Sequence, residues 1–86
     1  MNLHEIIEGL TEELAAIEHD RWSRWQRYVH EQGVVQSNGS LLLPADLVEK
    51  WERQMTTPYE KLSEKEKQSD RDQVARYLPM ITRALK

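Results

Sequence analysis

The chain reads as a mainly α-helical single domain. It has two long packed helices, a shorter middle helix, and a small β-hairpin or ordered loop between them. Three observations lead there. Apolar residues recur at helical spacing in three separate segments. Capping residues stand where those segments begin or end. Two short apolar, β-prone pieces flank an Asn-Gly. With 86 residues there is room for one core, so residues 1–86 are expected to form one domain.

The N-terminal "MNLHEIIEGL" is helical in pattern and broken at Gly9. Thr11 then has the character of an N-cap, with Glu12 and Glu13 placed to favour the helix dipole. No proline or glycine follows until Gly33, so a helix is expected from Thr11 to about Gln32, with Gly33 as its C-terminal cap. In "VVQSNGSLLLP", Val34-Val35 and Leu41-Leu42-Leu43 flank Asn38-Gly39, a pair whose residues both tolerate positive φ. Either a two-stranded ribbon or an ordered loop without a ladder fits this stretch. Pro44 suits the first turn of the next helix, along which Leu47, Val48, Trp51 and Met55 form an amphipathic stripe. Thr57-Pro58 marks a turn or a short helix start. Ser63 and Glu66 make a capping box that opens the last helix, expected from Ser63 to Leu78. Val74, Tyr77, Leu78, Ile81 and Leu85 share its apolar face. Pro79 lies inside this pattern, so the helix kinks there, or ends near Tyr77 with a short helix after it.

Composition narrows function. There is no cysteine, hence no disulfide framework and no thiolate chemistry. The first residues lack the basic start of a secretory signal, and no apolar run approaches membrane-spanning length. A cytoplasmic protein with no membrane association is expected. Twelve basic and 15 acidic residues are well mixed, for a net charge of −3, so no DNA partner is expected. His4, His19 and His30 lack metal-ligand spacing, and no metal or cofactor is assigned. No nucleophile, oxyanion donor and base come together, so the chain is read as non-catalytic.

The informative segment is "EHDRWSRWQRY". At 100° per residue, Leu14, Ile17, Trp22, Trp25, Tyr28 and Val29 fill an arc of roughly 140°. Glu18 and Arg21 fall inside this arc, and His19 sits at its edge beside Trp22. On the last helix, the apolar face runs back from Val74 through Asp70 and Lys67 to Ser63, with Arg71 at its margin. An unpaired charge in an apolar contact costs several kcal/mol, so these groups must be paired, solvated or ligated. Two arrangements satisfy that. Glu18, Arg21, Lys67 and Asp70 form an ion-pair network that registers the helices. Alternatively, they floor a pocket walled by Trp22, Trp25 or Tyr59, where an aromatic face stacks a base and Arg21 grips a phosphate.

The same residues resemble a known family. "IEHDRWSRWQRYVHEQG" and the later "TPYEKLSEKEKQSDRDQV" are similar to the ryanodine-receptor repeat, or RyR domain. The matching positions are His19 and Trp22, then Tyr59, Leu62, Ser63, Glu66, Lys67, Asp70 and Arg71, in a resemblance spanning about two-thirds of the chain. The second segment is the more specific. The resemblance implies a helical, non-catalytic domain of the small stand-alone type found in bacteria and their phages. It further implies a site for a nucleotide-like anion: Arg21, Lys67 and Arg71 on phosphate, Trp22 or Tyr59 on the base. Glu18, His19 and Asp70 are then a structural network. The chain departs from the family pattern in lacking a Trp after Gly33 and in having "QMTTP" where the family has His-Pro. Trp25 and Trp51 are the candidates to replace that missing aromatic wall. The competing reading is a protein-interaction module, in which Trp25, Trp51 or the hairpin forms a homodimer or partner surface.

Overall fold

A computed structural model describes all of residues 1–86. It contains helix α1 (Leu3–Glu8), helix α2 (Thr11–Gln32), strands β1 (Val34–Val35) and β2 (Leu41–Leu42), helix α3 (Ala45–Thr56), a 3₁₀ turn (Tyr59–Lys61) and helix α4 (Glu64–Leu85). The mainly helical class with a small hairpin is therefore present. The ribbon is antiparallel, with Val34 opposite Leu42 and Val35 opposite Leu41.

Several local signals act differently from their sequence reading. Thr11 does not cap α2. Its hydroxyl donates to the Glu8 carbonyl at 2.7 Å, and Leu10 occupies the N-cap position without a side-chain bond. A threonine hydroxyl is free to satisfy either neighbour, and here the end of α1 is the nearer one. Gly33 does follow α2, but at φ −86° it is not left-handed. Its small size matters instead: a Cβ there would lie 3.2 Å from the Leu41 Cβ. In the hairpin, only Gly39 adopts positive φ, at 87°, and Asn38 does not. Gly39 N–H donates to the Gln36 carbonyl, and the Asn38 side chain accepts from Ser40 N–H at 3.0 Å. This is a turn closed by glycine, with Asn38 bracing the return strand.

The capping box at Ser63 forms as read: its hydroxyl accepts from Glu66 N–H, and Glu66 accepts from Ser63 N–H. The helix it starts does not stop near Tyr77. It runs through Pro79 to Leu85. Proline removes one backbone donor, which leaves the carbonyl four residues earlier without its helical partner. That carbonyl belongs to Ala75, and both Ala75 and Pro79 are exposed, so water can serve it.

Helices α2 and α4 are antiparallel. Asp20 faces Arg76, Glu13 faces Arg83, and Glu18 faces Tyr77. Helix α1 packs against α4, and Leu10, at the elbow between α1 and α2, is the one buried residue, 6% exposed. Helix α3 meets α2 through aromatic side chains. The result is a slab of 55 × 34 × 16 Å. Its radius of gyration is 17.5 Å, whereas a compact chain of this length has about 12 Å.

Candidate functional site

The charges inside the α2 stripe close on each other. Arg21 Nε donates to Glu18 Oε2 at 3.0 Å, and its Nη2 bonds the other oxygen, a two-pronged grip. Tyr77 from α4 donates its hydroxyl to Glu18 Oε2 at 2.6 Å. The Arg21 bonds, followed by the Tyr77 bond, pull the Glu18 carboxyl down to about 2. The same contact raises Tyr77, because a phenolate beside a carboxylate is disfavoured. Arg21 is raised in turn, chiefly by Glu18.

A second, separate cluster sits at the start of α4. Glu64 holds Arg71 at 3.3 Å and Lys67 at 3.9 Å. Arg71 also donates to Gln68. The Lys67 ammonium lies 5.8 Å from the centre of the Tyr59 ring, a cation–π distance. The Glu64 bond is the main cause that raises Arg71.

Glu18, Arg21, Lys67 and Asp70 therefore do not make one network. The antiparallel register explains this. Arg21 stands nearest the rung of Arg76, which places Asp70 about one and a half turns away along α4. Asp70 has no side-chain hydrogen bond or ion pair. His19 stacks beside Trp22 with ring centres 6.4 Å apart. The five expected ligand residues are likewise divided. Arg21 and Trp22 lie on α2, and Tyr59, Lys67 and Arg71 gather at the N-terminal end of α4, where Glu64 holds Lys67 and Arg71 and Tyr59 faces Lys67.

An open concavity of about 850 Å³ lies between α2, α3 and α4. Its aromatic lining is Trp25, Tyr28 and Trp51. Trp51 meets Trp25 edge-on at 5.6 Å and Tyr28 at 6.4 Å. Arg21 and Asp70 reach this space, whereas Trp22, Tyr59, Lys67 and Arg71 do not line it. At its α3–α4 wall, Gln54 donates to Glu66 at 2.7 Å, and Arg53 lies 3.8 Å from the same carboxylate. Hydrogen bonds from Ser63 and then Gln54 lower the Glu66 carboxyl. No cluster of three or more potential metal ligands is present, and no helix is long and apolar enough to cross a membrane.

Some of these partners were readable from spacing. Glu64 precedes Lys67 by three and Arg71 by seven, so all three share a helix face. Asp20 with Arg24, at 3.1 Å, is an i,i+4 pair. The cross-helix partners Tyr77 of Glu18, Arg76 of Asp20 and Arg83 of Glu13 have no such signal, because they depend on register.

Exposure is the other feature of the surface. Trp22 is 53% exposed, Val74 51%, Leu78 53% and Leu85 50%. The hairpin residues Val34, Val35 and Leu42 are also exposed. The accessible surface is 6995 Å², against about 5,300 Å² for a folded monomer of this mass. No family model, curated protein or solved structure matches the chain.

Proposed function

We propose that this chain is a protein-interaction module, whose helices complete their core against a partner. The observation that carries this reading is the single buried residue, Leu10. Hydrophobic burial is the main favourable term in folding, and this chain leaves about 1,700 Å² more surface exposed than a compact monomer of its mass. Association supplies the missing burial. The functional unit is then the assembly. Hydrogen exchange at nanomolar concentration tests the reading. The α4 amides should exchange with little protection when the chain is too dilute to associate. Strong, cooperative protection in a dilute lone chain would overturn it.

A second reading has its own support in the concavity beside Trp25, Tyr28 and Trp51. Here the chain is a RyR-like, non-catalytic module for a nucleotide-derived anion. Aromatic faces stack a base, and Arg21 contributes positive charge at the rim. The resemblance of the Tyr59–Arg71 segment to the RyR repeat is what suggests this reading. Against it, Arg21 is engaged by Glu18, and the other expected ligand residues lie outside the concavity. Titration with adenine nucleotides, followed by tryptophan fluorescence, tests it. Quenching that saturates supports the ligand reading. An unchanged signal up to millimolar nucleotide removes it.

A further inference from the structure

The two sides of the α2–α4 pair differ in character. On α2, Glu13 and Asp20 are seven residues apart and share one side. On α4, Arg76 and Arg83 are seven apart and share the side that meets them. The ion pairs Asp20–Arg76, at 2.6 Å, and Glu13–Arg83, at 3.3 Å, close that side. The opposite side is apolar. Glu18 and Trp22 are four apart on α2. Val74, Leu78, Ile81 and Leu85 follow at spacings of four, three and four on α4, the repeat of a helix-packing seam. Tyr77 lies three residues from Val74 and four from Ile81. Its bond to Glu18 therefore closes on this apolar side. Here Trp22, Val74, Leu78 and Leu85 are each about half exposed.

We infer that this side of α2 and α4 is the docking face for a second copy of the same chain. The inference rests on the interaction-module reading and names its partner. Two antiparallel pairs laid face to face make a four-helix arrangement with an enclosed core, which is the ordinary solution for helices with one apolar side.

Area fits a second copy. The chain exposes about 1,700 Å² more than a folded monomer of its mass. Two copies that each remove that excess bury about 3,400 Å², within the range of obligate homodimers. Availability also fits. A chain with one buried residue needs its partner whenever it is folded, in fixed proportion, and another copy is always made with it. Electrostatics permit it. Glu18 and Arg21 are paired within the chain, so covering them strands neither ion. Asp70, which has no partner, stands one turn before Val74, beyond the end of the seam. A net charge of −3 with interspersed signs gives only weak mutual repulsion.

Sedimentation equilibrium on the full chain and two variants tests the face. Leu78→Lys places a charge in the middle of the seam. Val35→Lys makes the same change on the exposed hairpin. The full chain should sediment as a dimer, and its thermal midpoint should rise with concentration. Leu78→Lys should weaken the dimer by at least about tenfold, as expected for a central interface residue. Val35→Lys should leave it intact. If Leu78→Lys unfolds the chain outright, the full chain's concentration dependence still decides self-association. Paramagnetic broadening from a spin label at an introduced Val74→Cys then decides the face, because it should reach Leu85 of an unlabelled copy in a mixed sample. A dimer that survives Leu78→Lys but not Val35→Lys would overturn this face. A chain that stays monomeric and unfolded when alone would overturn the second copy as occupant, while the interaction-module reading stands. A folded monomer with a concentration-independent midpoint would overturn both.

Discussion

Tyr77 on α4 donates its hydroxyl to Glu18 on α2 at 2.6 Å, and Arg21 grips the same carboxylate from one turn further along α2. This three-residue knot explains charges within an apolar stripe. The carboxylate is tied on both sides, and the guanidinium is spent on it. It also ties two helices that are 59 residues apart at this point of the chain.

The knot makes stability depend on acid. Glu18 titrates at about 2 in the folded chain, against an ordinary 4.5. A carboxyl with a lowered folded value stabilises the fold above its unfolded value. That contribution fades as pH falls from the ordinary value through the folded one. Glu66 is lowered as well and adds in the same direction. Denaturant midpoints measured at fixed protein concentration should therefore drop between about pH 4.5 and pH 2. Glu18→Gln should flatten part of that slope, and Tyr77→Phe should flatten less of it. The order follows from the causes of the shift, Arg21 first and Tyr77 second.

Leu10→Ala should be the most damaging aliphatic truncation in α1 and α2. Leu10 is the one buried side chain, at the elbow where α1 meets α2. A buried Leu→Ala change costs about 2–4 kcal/mol. Leu3→Ala, on an exposed residue, should cost far less. Equilibrium unfolding in urea checks the contrast. Equal losses for the two would mean that the elbow is not a packed site.

Ser63→Ala should lower stability by about 1 kcal/mol, the usual worth of a side-chain N-cap. The loss should be local at first. Amides at the start of α4 should exchange faster, while those near Met80 change little, since Ser63 caps only the first turn.

Gly39→Ala should destabilise the hairpin by about 1 kcal/mol, because φ of 87° strains any residue with a Cβ. Nothing lies within 4 Å of the added methyl, so the strain is conformational and not steric crowding. Gly33→Ala, by contrast, meets the Leu41 side chain at 3.2–3.3 Å. Broadened or shifted Val34 and Leu42 amide resonances would register both changes. Cross-strand shifts left unaltered in Gly39→Ala would argue against the turn described.

Local chemistry alone set the helices. Hydrophobic period, a capping box at Ser63 and breakers at Gly33 and Pro44 mark their limits, because capping and backbone preference act over three or four residues. The end of α4 was not legible in this way. Pro79 is a breaker by local rule, yet the helix passes it on a stretch where Ala75 and Pro79 are both exposed. The candidate site divides along the same line. Glu18 with Arg21, and Glu64 with Lys67 and Arg71, lie within one helix and so are fixed by spacing. What pairs with them across the fold is not. Tyr77 reaches Glu18, and Asp70 is left without a partner, because an antiparallel register between α2 and α4 sets which rungs meet. Periodicity marks a stripe as apolar but does not say what covers it. Only the tertiary structure shows that Trp22, Val74, Leu78 and Leu85 remain uncovered, because burial depends on how far the packed helices surround a side chain, a quantity no single segment contains.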